Sequence, residues 1–229
     1  MEGIDQIGVV FALVGGIVPA FFWLKFWLKE DAHGEPRSLI LRAFVMGMVI
    51  TIVALFFEDL SGRLFGESGP LIVVIWAAVE EILKFAGAYI AAIHTRFTDE
   101  PIDPAIYLIS TALGFAAFEN FIFVLGSLYK NEYMNSFVTA NLRFIGPTLL
   151  HVVCSALIGI FYGYVFYKKG NLRKFIIATG VILAVLLHAL FNSFIIAERV
   201  HPLIIFTGVW VGVIATILVL EKIKKIKNI

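Results

Sequence analysis

The sequence predicts an all-α fold: a polytopic transmembrane helical bundle of about seven spans, one integral membrane domain over residues 1–229. Three observations lead there. Sixty per cent of the residues are hydrophobic and only 15% are charged, against about 45–50% and 25% in an ordinary soluble domain. Mean hydropathy is +0.94. Apolar runs of about 20 residues, enough to cross ~30 Å of hydrocarbon, recur along the chain. Backbone polar groups cannot stay unpaired in lipid, so these runs are helices, and the ten-residue alternation of a membrane barrel is not seen.

The spans read as 5–28, 38–57, 70–94, 104–129, 144–167, 174–197 and 202–221. The first follows MEGIDQIG, which has no basic n-region, and it is too long for a signal-peptide core; it is expected to stay as a membrane helix. The second ends where Glu58 and Asp59 interrupt the apolar run. The third is apolar but carries Glu80, Glu81 and Lys84 near its middle. The fourth is lightened by Gly114, Ala116 and Ala117, and the fifth carries Ser155, Gly159 and Gly163 at four-residue steps. That small-xxx-small stripe lets a neighbouring helix approach closely. The seventh runs into EKIKKIKNI, a stop-transfer flank suited to anionic membrane lipid.

A formal net charge of +1 argues against a nucleic-acid partner, and the single cysteine, Cys154, excludes an internal disulfide. Lys and Arg collect in cytoplasmic loops. Loops after odd-numbered spans, with the tail, hold 13 of them, whereas the other side holds 4: Arg63, Lys130, Arg143 and Arg199. This predicts a multi-pass cell-membrane protein with its N-terminus outside and its C-terminus cytoplasmic.

Four of the five Asp fall in predicted loops and Asp5 at the very start of the first span, and of 12 Glu only Glu80, Glu81 and Glu119 lie well inside spans. His151 and His188 do so too, with Asn120 and Asn192. Counted from the outer ends of their spans at ~1.5 Å per residue, Glu80, Glu119, His151, His188 and Asn192 lie about 8–15 Å deep, in one layer. Each ionisable group at the bilayer centre costs roughly 2.5–3.5 kcal/mol on insertion scales, so such groups mark function. Bland readings stand beside this one. Glu81 pairs with Lys84 at i,i+3 to hold a helix, and Asn120 and Ser155 are interhelical hydrogen-bonders. The residues alone leave open a proton or cation relay, a zinc site, and hydrolysis by carboxylate-activated water. No H-E-x-x-H or G-x-S-x-G is present, and no Asp lies in the interior of a predicted span.

Four stretches on successive spans, EEILK (80–84), GFAAFEN (114–120), RFIGPTLLHVVCSALIG (143–159) and HALFN (188–192), carry a resemblance. They resemble the PrsW family of glutamic-type intramembrane proteases, within the wider CAAX prenyl endopeptidase superfamily. The first loop, KEDAHGEPRSLILRAFVMG, and DEPID at 99–103 are similar as well, although Pro104 and Ala105 stand where the family has a glycine. The resemblance implies a protease acting on a membrane-anchored protein, such as an anti-sigma factor, from the extracytoplasmic side, with no cofactor and no metal. It implies Glu80 as general base, Glu119 as water-positioning or proton-sharing partner, and His188 and Asn192 as oxyanion donors. His151 is a further site residue, with Glu81, Lys84, Asn120 and Ser155 in support. The alternatives are a proton-coupled transporter, a zinc-dependent membrane hydrolase using the same cavity, and a non-catalytic scaffold.

Overall fold

The computed structural model describes residues 6–31, 33–130, 133–197 and 200–227. Residue 5, at the start of the first predicted span, and Arg199 lie outside them. Among the described residues the chain forms eight α-helices: α1 (Gln6–Trp27), α2 (Arg37–Phe65), α3 (Pro70–Ala88), α4 (Asp103–Tyr129), α5 (Tyr133–Ile145), α6 (Pro147–Tyr164), α7 (Asn171–Ala197) and α8 (Pro202–Ile223). Six stretches are long and apolar enough to cross a membrane: α1, α2, α4, α7, α8, and Ala140–Tyr164. The bundle's seventh long helix, α3, carries the three charges and continues through a wide π turn at Tyr89–Ile93. About seven spans is therefore the observed architecture.

Two boundaries differ from the sequence reading. Helix α2 runs eight residues past the apolar stretch 38–57, to Phe65, so Glu58 and Asp59 are helical rather than in a loop. The extension is held by packing: Ser61 and Gly62 are buried, and the Trp76 indole of α3 donates to the Glu58 carbonyl at 3.2 Å. Asp103, also read as loop, is the first residue of α4. A third difference is α5, which lies in a stretch read largely as loop. Its apolar residues Met134, Phe137, Val138 and Leu142 recur at helical spacing and are exposed. This is the pattern of a helix lying along the interface, which no length criterion for a span detects. Pro147 cannot supply the N–H that would continue α5, so the chain breaks at Gly146 and α6 begins afresh. Gly146 sits against the Phe206 ring of α8.

Helices α4 and α6 form the buried centre, with α1 and α2 against α4, α7 and α8 against α6, and α3 bridging α2 and α7. Small residues permit this. A Cβ on Gly114 would run into the Phe44 carbonyl oxygen of α2, and one on Gly47 into the Thr111 carbonyl of α4. The α6 stripe packs in the same way, Gly159 against Ala105 of α4 and Gly163 against the Pro101 carbonyl just before it. At the end of the bundle bearing the first loop, the Tyr107 hydroxyl donates to the Glu35 carboxylate. Asp103 accepts the backbone N–H groups of Asp99 and Glu100 at 2.8 and 2.6 Å. Burial pushes the Glu35 carboxyl above the usual carboxylate range. This clasp joins the first loop to DEPID, the two family-like loops of the sequence.

Gly114→Ala should destabilise the bundle by about 3 kcal/mol or more, because two backbones must separate. Gly126→Ala, on the same helix with nothing within 4 Å of its added methyl, should be neutral or stabilise by up to ~1 kcal/mol. Thermal unfolding of both variants in detergent checks this, and equal midpoints would contradict the close packing.

Candidate active site

Helix α3 places Glu80, Glu81 and Lys84 on the face it turns into the bundle, and all three are buried. Lys84 is three residues after Glu81, and its ammonium donates to Glu81 Oε1 at 2.6 Å. The same Nζ donates to His151 Nδ1 on α6 at 2.9 Å and lies 5.0 Å from the centre of the Phe115 ring on α4. From α7, His188 Nδ1 donates to Glu81 Oε1 at 2.7 Å. One carboxylate oxygen thus ties α3 to α7, and one ammonium ties α3 to α6.

Glu80 stands beside this cluster. Its Oε2 lies 3.7 Å from His151 Nδ1, 3.8 Å from Lys84 Nζ and 3.9 Å from His188 Nε2, each just beyond hydrogen-bond reach. That oxygen is buried without a hydrogen-bond partner. The imidazoles of His151 and His188 meet edge to face with centroids 5.1 Å apart. An ammonium can only donate, so His151 accepts at Nδ1, and its Nε2–H then donates to Glu119 Oε2 at 2.9 Å. His188, with Nδ1 committed to Glu81, turns Nε2 toward Glu80.

A further ring of contacts holds Glu119. Arg143 of α5 places Nη2 2.7 Å from Glu119 Oε2 and donates from Nε to Asn120 Oδ1 at 2.5 Å. The Asn120 amide donates to the Thr148 hydroxyl of α6 at 2.9 Å, and the Arg143 guanidinium stacks 4.0 Å over Phe123. Glu58 of α2, half-buried, lies within electrostatic range of Glu80, Glu119 and Lys84. Three carboxylates in the centre face two fixed cations, and a pair of this kind holds only while both members are present.

The structure therefore brings together Glu80, Glu81, Lys84, Glu119, His151 and His188, and places Asn120 one shell out as a bridge between α4, α5 and α6. Asn192, one turn beyond His188 on α7, is half-buried and makes no hydrogen bond to the cluster among the described residues. Ser155 is fully buried with its hydroxyl unpartnered, one turn along α6 from His151. Three contributors were missing from the sequence reading. Arg143 was counted as a loop charge, Glu58 fell beyond the expected end of its span, and Thr148 had no signal. Arg143 had none either, because the break at Gly146 separates its helix from that of His151.

Glu80, His151 and His188 each offer a ligand atom, and the three atoms lie within 4.8 Å of one another. A carboxylate with two imidazoles is a donor set of catalytic zinc sites. The far nitrogen of each imidazole is already held by a carboxylate, Glu81 or Glu119, as supporting groups do around bound metals. By donor type the residues fit a divalent ion, but the Lys84 ammonium already occupies the His151 Nδ1 lone pair at 2.9 Å.

A buried Glu–His–Lys cluster at the meeting point of four helices in an apolar bundle marks a polytopic membrane protein with a functional centre inside the bilayer. A family model described as PrsW family intramembrane metalloprotease matches residues 35–220, and the chain belongs to that family. Proteins named Protease PrsW are similar along most of their length. The one from Shouchella clausii is 26% identical over 220 residues, covering 95% of this chain and 97% of the relative. That from Geobacillus kaustophilus is 25% identical over 194 residues, covering 83% and 82%. That from Bacillus subtilis is 28% identical over 159 residues, covering 68% and 67%. No solved structure matches the chain. The chain is an intramembrane protease, acting on membrane-anchored protein.

Lys84→Met leaves Glu81 charged and buried, and should lower stability by about 3–5 kcal/mol. Glu81→Leu combined with Lys84→Met removes both charges and should recover most of that loss. Unfolding of the two variants in detergent tests the pair, and a single variant as stable as the native chain would show that the bond carries nothing.

Proposed function

We propose that the protease hydrolyses its substrate with water activated by the Glu80 carboxylate, without needing a metal. The observation that supports this is the unpartnered, buried Glu80 Oε2, ringed by His151, His188 and Lys84 at 3.7–3.9 Å. Glu80 takes a proton from water as the hydroxide adds to the scissile carbonyl, then delivers it to the leaving amine. A protonated His188 donates Nδ1–H to Glu81 and Nε2–H to the oxyanion. Asn192, on the same helix face, adds an amide donor when substrate is seated. Lys84 opposes the negative charge that builds in the transition state. Glu119, clamped by Arg143, orients His151. Asn120 holds Arg143, and Ser155 belongs to the α6 packing stripe.

A second reading is favoured by the family's description as metalloproteases and by the donor set itself. In it Glu80, His151 and His188 would hold a divalent ion, supplying Lewis-acid polarisation of the scissile carbonyl. The Lys84 ammonium occupies the His151 Nδ1 lone pair at 2.9 Å, and that bond must open before the imidazole can act as a ligand. That occupied lone pair favours activation of water by the carboxylate over ligation of an ion.

The substrate we propose is a single-span regulatory protein of the anti-sigma class, a reading supported by the family resemblance. Orientation rests on charge. Arg143 belongs to the site and not to a loop, which leaves Arg63, Lys130 and Arg199 against 13 cations at the opposite end. This supports an extracytoplasmic N-terminus, with α5 on the outer surface and the cut in the outer part of the substrate span or just beyond it.

Glu80→Gln keeps the shape but cannot accept a proton, so it should abolish cleavage while the protein stays folded. His188→Ala should lose about 10²–10³-fold in kcat. Purified protein should keep its activity in strong chelator; loss restored by Zn²⁺ would establish the ion instead. A reporter fused after Ile229 should report the cytoplasm, and product termini should map to the outer third of the substrate span. Termini in the cytoplasmic third would overturn the orientation.

A further inference from the structure

A groove of about 830 Å³ opens between the ends of α3 and α7 remote from α5, with Tyr162 of α6 at its back. Its membrane side is apolar, formed by Phe85 of α3 and by Ile177, Val181 and Ile182 of α7. Its other end is rimmed by Lys169, Arg173 and Lys174. None of these three cations has a carboxylate within ion-pair distance among the described residues; Arg173 instead donates to the Tyr162 hydroxyl at 2.7 Å. The one other polar wall is Tyr89, exposed on the π turn that ends α3.

An apolar slot along two membrane helices, closed at the interface by unneutralised cations and tyrosines, is complementary to one kind of occupant. We propose that it is a binding site for an anionic diacyl phospholipid. The acyl chains lie against Phe85, Val181 and Ile182, and the phosphate is held by Lys169, Arg173 and Lys174. A zwitterionic lipid fills the slot equally well but leaves the cations with less to bind, because its headgroup carries its own positive charge. A protein helix would need contacts along the whole helix face, and the basic rim selects for charge at one end alone.

The position matters for the site. Phe85 directly follows Lys84, and the Glu81–His188 hydrogen bond of 2.7 Å is the tie between α3 and α7 just above the groove. A lipid lodged below that tie props the two helices at a fixed spacing. The proposal does not depend on how the peptide bond is cut, and its test reads binding rather than cleavage.

Phe85→Trp adds a fluorophore on the groove wall to the four native tryptophans, and its quenching is read as the difference from the chain without it. In vesicles containing equal amounts of phosphatidylglycerol and phosphatidylcholine, brominated acyl chains are carried on one lipid or the other. Quenching should be stronger with brominated phosphatidylglycerol, corresponding to about tenfold preferred occupancy or more. The Lys169→Gln/Arg173→Gln/Lys174→Gln variant in the same background should lose that preference, and restoring charge with Lys169→Arg/Lys174→Arg should keep it. Lys222→Gln/Lys225→Gln, which removes equal-sign charge from the end of α8, should leave it intact. Native mass spectrometry of the unlabelled protein should retain phosphatidylglycerol over phosphatidylcholine with the same dependence. Equal quenching by the two lipids, or loss of preference in the α8 variant as large as in the groove variant, overturns the proposal.

Discussion

The Lys84 ammonium is the constraint on which the rest of the protein depends. A fully buried cation in an apolar bundle is tolerated only where its three hydrogens find acceptors and its charge finds a counter-charge. Lys84 has Glu81 at 2.6 Å, His151 at 2.9 Å and the face of Phe115. These partners come from α3, α6 and α4, and Glu81 in turn holds His188 of α7. Satisfying one charge thus fixes four helices in register. It also explains how Glu80 can remain unpaired: the neighbouring cluster absorbs the hydrogen-bond donors, and Glu80 is left with its oxygen open to chemistry.

Such a cluster demands that helices approach more closely than leucine-lined helices do. The close approaches at Gly47, Gly114 and Gly159 put α2, α4 and α6 within backbone contact, so that short side chains suffice at the crossing and long polar ones can converge beside it. Packing and electrostatics therefore act on the same helices: glycine steps set the separation, and the ion pairs select the rotation. The outward faces, rich in exposed Phe, Leu, Ile and Val, are left to the lipid.

The architecture was legible because transmembrane length and apolarity leave little choice, and α3 was found despite its three charges. The end of α2 was not, since a helix that continues into the interface loses its apolar signature while packing through Ser61 and Gly62. Helix α5 hid for the opposite reason: its exposed apolar residues recur at helical spacing and never form a run. The cluster itself could be anticipated from depth counting, because intramembrane ionisable residues are rare enough that a shared depth carries information. The partners of Arg143 could not. A cation near a span end reads the same whether it faces water or bridges Glu119 and Asn120, and only the break at Gly146 decides which way it turns.

The dispersal of the cluster over the chain has a bearing on how the protein is made. Helix α3 leaves the ribosome carrying Glu80, Glu81 and Lys84 with just one of their bonds available locally, the i,i+3 pair. The imidazoles that complete the network arrive about 70 and 107 residues after Glu81, as the positions of His151 and His188 show. Until α7 has entered the bilayer, α3 is a poorly inserted segment that gains by staying near water or the translocation machinery. Assembly and activation are then a single event. A nascent or truncated chain holds Glu80 without its surroundings, so a protease lodged among other membrane proteins has no assembled cluster until its own synthesis is nearly finished.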